Sequence, residues 1–96
     1  MYIHYLSCFN MKFDYDPKKS SSNKDKHGID FEEAKSLWND SYRVVIPARC
    51  HVEKRWVMIA RLNDEYWSVI YTVRDDVIRM ISVRKSRQNE KEIYHF

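Results

Sequence analysis

The chain has 96 residues, 44% of them hydrophobic and 32% charged, and a formal net charge of +3 at pH 7. That length holds one domain, with a stability of about 5–14 kcal/mol at the usual yield per residue. One Gly and two Pro exclude collagen-like and low-complexity chains, 15% aromatic residues exclude an intrinsically disordered one, and no stretch of uncharged apolar residues is long enough to form a transmembrane helix. Two cysteines, Cys8 and Cys50, cannot build a disulfide scaffold and read as free thiols of a cytoplasmic, reducing compartment.

Residues 1–10 are apolar, too short for a secretory leader, and read either as an extension ahead of Met11 or as a first strand. Lys12 to Tyr15 fits a short strand. Asp16-Pro17 is a helix start, with Asp as N-cap and Pro at the first helical position, and Gly28 ends that helix after His27. The helix is polar all round, so it is expected to face solvent or a partner and stay outside the core. Asp30 and Glu33 stand at capping-box spacing before a second helix, whose Phe31, Ala34, Leu37 and Trp38 share one face and which ends near Asn39-Asp40.

The period then changes to that of strands. Arg43–Pro47, Arg55–Leu62, Tyr66–Arg74 and Val77–Val83 read as four strands, the last three joined by the turns Asn63-Asp64 and Asp75-Asp76. Turns that short make antiparallel neighbours. Ser86 to Tyr94 closes the chain as a polar helix. The expected fold is α+β: two N-terminal helices, an antiparallel meander and a C-terminal helix, with the helices on one face of the sheet. Strict alternation puts Arg79 and Ile81 on one face of the last strand, Ser82 and Arg84 on the other.

Metal and cofactor chemistry finds no motif. His4, His27, His51 and His95 are scattered, Cys50 and His51 are adjacent rather than spaced as ligands, and one Gly cannot make a phosphate-cradling loop. The basic residues say more. Between Arg79 and Lys91 lie five cations (Arg79, Arg84, Lys85, Arg87, Lys91) against one acid, Glu90. With Arg61 and Tyr71 they suit a polyphosphate chain, since Arg offers paired donors to phosphate oxygens and Tyr can stack on a base. The alternative is a set of ordinary solvated surface charges. His27 fits the electrostatics of a helix C-terminus as well as a proton-transfer role. Glu53 fits a surface ion pair as well as a general base.

The run Phe13-Asp14-Tyr15-Asp16-Pro17, Lys19, Asn23, Lys26-His27-Gly28-Ile29 and Phe31-Glu32-Glu33-Ala34 resembles the opening of BrnT-type toxins. The ending resembles theirs too: Tyr71-Thr72, Arg79-Met80-Ile81-Ser82-Val83-Arg84-Lys85, Glu90 and Tyr94. Between them Glu53, Arg55 and Ile59-Ala60-Arg61 are similar to the family's E-x-R and I-G-R segments. Tyr15 stands where the family usually has Trp, Ala60 where it has Gly, and Ser86 where Ala is common. The likeness covers residues 11–94 and implies a single toxin domain over 11–96, with residues 1–10 as an extension. It implies a RelE-like fold and a metal-independent ribonuclease of a type II toxin–antitoxin system that inhibits translation. The implied partners are RNA, a BrnA-like ribbon-helix-helix antitoxin, a second toxin chain within the antitoxin complex, and promoter DNA through the antitoxin alone. No cofactor and no membrane are implied.

A ribonuclease without a metal can use the substrate's 2′-OH as nucleophile, given a base, cations for the phosphorane and a donor to the leaving oxygen. Arg61, Arg79, Arg84 and Lys85 are the candidate cations; Glu53, His27 and Tyr71 are the candidates for proton transfer. The competing reading is a small basic module that binds RNA or protein without cleaving it. Its binding would weaken by steps as each Arg is removed.

Overall fold

A computed structural model describes residues 11–49 and 52–96. The expectations for residues 1–10 and for Cys50 and His51 lie outside that range.

Strand β1 (Lys12–Asp14) leads into helix α1 (Pro17–His27). The Asp16 carboxylate accepts from the Lys18 N–H at 2.9 Å, and Pro17 takes the first helical position, where its missing N–H costs nothing. Gly28 closes the helix at φ 81°, its N–H bonded to the Lys24 carbonyl at 2.9 Å. A side chain there meets no neighbour, so the left-handed backbone alone selects glycine.

As expected, helix α1 gives no residue to the hydrophobic core and nine of its eleven residues are exposed, yet it is held to the sheet. Ser20 and Asn23 are buried, and they anchor the helix through polar bonds instead of an apolar stripe. The Asn23 amide donates to the Ile29 and Val83 carbonyls, both at 2.8 Å, and its oxygen accepts from the Val83 N–H at 3.1 Å. It serves β5 in place of the next strand, where β1 has already ended. Ser20 accepts from the Phe31 N–H at 2.9 Å, which ties α1 to the first residue of the second helix.

Helix α2 (Phe31–Ala34) starts from the expected capping box: Asp30 accepts from the Glu33 N–H at 2.7 Å, and Glu33 accepts from the Asp30 N–H at 2.9 Å. The second expected helix is α-helical for these four residues only and continues as a 3-10 helix, Lys35–Asn39. Its apolar face is the expected one: Phe31, Ala34, Leu37 and Trp38 are all buried.

The sheet has five strands in the order β1-β5-β4-β3-β2, with β2 Val44–Pro47, β3 Trp56–Leu62, β4 Glu65–Arg74 and β5 Val77–Lys85. The meander is antiparallel as expected, but β1 pairs with β5 in parallel, so the sheet is mixed. Both hairpin turns place two residues at positive φ, Asn63 and Asp64 at 52° and 67°, Asp75 and Asp76 at 52° and 66°. That is the type I′ geometry, adopted without glycine because Asn and Asp tolerate the left-handed region.

One sheet face packs on α2 and the 3-10 helix. Met58, Ala60, Trp67, Val69, Tyr71, Met80 and Val83 meet Phe31, Leu37 and Trp38 there. The expectation that all helices share this face is corrected by α3 (Gln88–Tyr94), which lies on the other one. There Glu90 accepts from the Ser68 hydroxyl at 3.0 Å, and Tyr94 stacks edge-on against Tyr66 at 5.3 Å. Ser68 and Tyr66 alternate with the core residues Trp67 and Val69 along β4, which fixes them on that second face.

Candidate active site

The second face is organised along β4, residue by residue. Tyr66 and Ser68 lie under α3. Ile70, Thr72 and Arg74 continue beyond it, where Val57, Ile70 and Ser82 are half-buried. The register places Thr72 beside Arg79 of β5, and Arg79 beside Asp14 of β1. On the other side the Ala48 N–H to Arg55 carbonyl bond, 2.9 Å, extends the β2–β3 ladder by one step, so alternation brings Arg55 opposite Thr72. Asp14, Arg79 and Thr72 thus form a row across three adjacent strands, and Arg55, just before β3, comes next in line. The Thr72 hydroxyl donates to the Lys54 carbonyl at 2.7 Å and clamps that end of the loop before β3. One step along β4, Arg74 donates to Glu53 from Nε at 2.7 Å and makes the ion pair at 2.6 Å.

The expectation that Arg79 and Arg84 face opposite ways is corrected. The register shifts between Ile70 and Tyr71: Ser82 lies against Ile70, Met80 against Tyr71, and Ile81 is the extra residue of a β-bulge. The bulge reverses the alternation, so Arg79, Ser82 and Arg84 all lie on the second face. They do not converge, however. Their partners Thr72 and Ser68 are four residues apart on β4, which is about 13 Å.

Arg84 is engaged beneath α3. Its Nη1 and Nη2 donate to the two Glu90 oxygens at 2.7 and 2.9 Å, and Glu90 also accepts from the Arg87 N–H at 2.8 Å. The guanidinium first, then the other donors, hold the Glu90 carboxyl down at about 2 against the pull of burial. Arg79 pairs with the half-exposed Asp14 and is itself 34% exposed, so its guanidinium stays within reach of solvent.

The other residues singled out in the sequence lie elsewhere. Tyr71 is on the core face, 7% exposed and edge-on to Trp38 at 5.4 Å; burial pushes its hydroxyl up to about 12. Arg61 shares the second face but sits opposite Tyr66, six residues along β4 from Thr72, about 20 Å away. It pairs there with Asp64 at 2.8 Å and covers the Tyr66 ring at 5.5 Å. Lys85 is exposed and pairs loosely with Glu65 at 3.7 Å. His27 is exposed at the end of α1, the helix anchored to the outer edge of β5. Of the seven candidates, Glu53 and Arg79 lie on the open half of the second face, on opposite sides of β4. That half adds Arg74, Thr72 and Asp14, which sequence reading did not single out; the alternation along β4 that carries Thr72 and Arg74 was the available signal.

Among the described residues no three His, Cys, Asp or Glu side chains are grouped to hold a metal ion. No described helix is long and apolar enough to cross a membrane. The open half is therefore a surface of guanidinium groups, all but one held by a carboxylate among the described residues, with a buried hydroxyl between them. Such a surface offers guanidinium donors to phosphate oxygens without rebuilding the fold.

The search of curated proteins gives no match. The family model described as the ribonuclease toxin BrnT of type II toxin–antitoxin systems matches residues 15–90, which take in the row from Arg55 to Arg79 and the Glu53–Arg74 pair. That match spans more than half of the sequence, and the chain belongs to the BrnT ribonuclease toxin family.

Proposed function

We propose that this toxin is a metal-independent, RelE-like endoribonuclease that acts in the cytoplasm, cleaves RNA on the open half of its second sheet face, and so inhibits translation. The observation that carries the reading is the row Asp14, Arg79, Thr72, Arg55 beside the Glu53–Arg74 pair. In this mechanism the Glu53 carboxylate takes the proton of the 2′-OH, and the 2′-oxygen attacks the adjacent phosphorus. Arg79 stabilises the charge that grows on the phosphorane oxygens, with Asp14 fixing the orientation of its guanidinium. The P–O5′ bond breaks, the 5′-oxygen takes a proton from solvent, and the products are a 2′,3′-cyclic phosphate and a 5′-hydroxyl end. One such donor is typically worth about 2.7–4 kcal/mol of transition-state stabilisation, or about 10²–10³ in rate.

Tyr71 supports no proton transfer in this reading, because its hydroxyl is raised in pKa and lies on the other side of the sheet. Arg84 acts through the placement of α3, Lys85 and Arg61 through the field that draws RNA to the face, and His27 through the end of α1. The expected partner is a BrnA-like ribbon-helix-helix antitoxin that covers the open half, in a complex with two toxin chains that reaches promoter DNA through the antitoxin.

The test is cleavage of a defined RNA by the purified toxin, with the ends identified by mass spectrometry and EDTA present throughout. Cyclic phosphate and 5′-hydroxyl ends are expected, with kcat about 10²–10³ lower for Arg79→Ala at unchanged circular dichroism. Cleavage that EDTA abolishes, or a folded Arg79→Ala/Glu53→Gln double variant that cleaves at the original rate, overturns the mechanism. Light scattering of the co-expressed pair checks the assembly; a strict one-to-one heterodimer refutes the dimer.

A further inference from the structure

The arginines of the second face differ in one respect. Arg61 has Asp64, Arg74 has Glu53, Arg79 has Asp14 and Arg84 has Glu90. Arg55 has no acid partner among the described residues, and its Nε–H is buried without a hydrogen-bond acceptor. It is the only buried side-chain N or O so placed among the described residues. A partly buried guanidinium without counter-charge is a cost that folding does not recover. A protein keeps such a group where a ligand supplies the missing anion. One step beyond the Trp56–Tyr71 pair, alternation sets Arg55 beside Thr72, whose other neighbour is Arg79, so the two arginines are separated by two strand spacings, about 10 Å between Cα atoms. Arginine side chains are long enough to close that gap over the Thr72 position and grip one phosphate group from two sides.

We propose that Arg55 is a substrate-phosphate ligand, the cation this face leaves without an acid partner among the described residues so that the RNA backbone provides one. The inference rests on the ribonuclease reading for the identity of the anion, and on the structure for the missing partner. Its consequence separates it from a structural role. Replacing Arg55 by a side chain of similar length without charge removes an uncompensated group, so the free toxin keeps or gains stability while it loses phosphate binding. A residue that merely supports the fold behaves in the opposite sense.

The experiment uses the purified toxin and its Arg55→Met and Arg55→Lys variants. Three quantities are read: the urea midpoint, kcat/KM on a short RNA, and the affinity for the all-2′-deoxy form of the same oligonucleotide over a range of salt. The Arg Nε–H resonance that disappears in Arg55→Met is followed in the wild type as the deoxy-oligonucleotide is added. The expected result for Arg55→Met is an unchanged or higher urea midpoint, kcat/KM lower by at least tenfold, and a salt slope shallower by about one. Arg55→Lys restores the slope but not the full rate, because lysine offers no planar pair of donors. A lower urea midpoint for Arg55→Met, or unchanged cleavage and slope, overturns the proposal while the ribonuclease reading stands. If the wild type cleaves no RNA yet the Arg55 resonance moves and the slope falls, the phosphate site stands and the ribonuclease reading falls. Neither cleavage nor a resonance shift overturns both.

Discussion

Glu90 holds the second face together, and removing it has a calculable effect. Its carboxylate accepts four hydrogen bonds, two from Arg84 and one each from Ser68 and the Arg87 N–H, with its side chain 9% exposed. Glu90→Ala strands the partly buried Arg84 charge and removes the Glu90–Ser68 bond between α3 and β4, a loss of about 3–5 kcal/mol. Against a total of about 5–14 kcal/mol that leaves a marginal protein. Glu90→Gln is the gentler probe: it keeps one oxygen for Ser68 and Arg87 but turns an amide N–H toward Arg84, at a cost of about 2 kcal/mol. The pH dependence identifies the charge as the cause. The folded carboxyl titrates near 2 and the free one near 4.5, so the stabilisation is complete above pH 4.5 and is lost as pH falls toward 2. A separation of that size corresponds to about 2–3 kcal/mol once the partial exposure of Arg84 is allowed for. Urea unfolding of wild type and Glu90→Gln at pH 7, 4.5 and 3 is expected to show a gap of about 2 kcal/mol that narrows steadily below pH 4.5. A gap that is constant with pH, or below about 0.5 kcal/mol at pH 7, refutes the reasoning.

Asn23→Ala is expected to cost about 2–3 kcal/mol in urea unfolding, because it leaves the Val83 N–H and carbonyl and the Ile29 carbonyl without partners; a loss under 0.5 kcal/mol would mean that water replaces the amide freely. Tyr71→Phe is expected to leave kcat on RNA within about twofold of wild type, since the hydroxyl it removes lies on the core face; a tenfold fall with the fold intact would place that hydroxyl in the reaction.

Local chemistry made most of the elements legible. Asp16-Pro17 and Gly28 delimit α1, Asp30 and Glu33 start α2, and two Asx-rich turns set the hairpins. Each of these is a signal within four residues of the backbone it controls. Besides the bulge at Ile81, three features escaped that are non-local. Asn23 is a polar residue on a polar helix, and nothing in the sequence shows that its amide meets β5 sixty residues later. The parallel pairing of β1 with β5 joins the two ends of the domain. The side on which α3 packs depends on Glu90 finding Ser68, again a polar contact without periodicity. Apolar patterning located the core because burial is repeated along an element, whereas single polar anchors leave no repeat to read.

The bulge at Ile81 has the largest consequence for the site, and it explains why the candidate list mixed two kinds of arginine. Counted by strict alternation, Arg79 and Arg84 lie on opposite faces, and a shared role looks impossible. With one extra residue between them they share a face, yet they still do different work. Arg84 is under α3, its two terminal nitrogens occupied by a carboxylate that only a large cost in stability could remove. Arg79 is at the open end, 34% exposed and paired with an exposed aspartate that orients it, so a phosphate can reach its remaining donors. A loss of toxicity in Arg84→Ala would therefore be ambiguous, because the same change leaves Glu90 buried without its partner. Arg79→Ala removes one exposed pair and nothing that the core depends on. Arg79, whose partner is exposed, and Arg55, which has no acid partner among the described residues, are the two that flank Thr72. In the proposed mechanism a polyanion reaches that end of the sheet without breaking a buried contact, and the covered end stays closed.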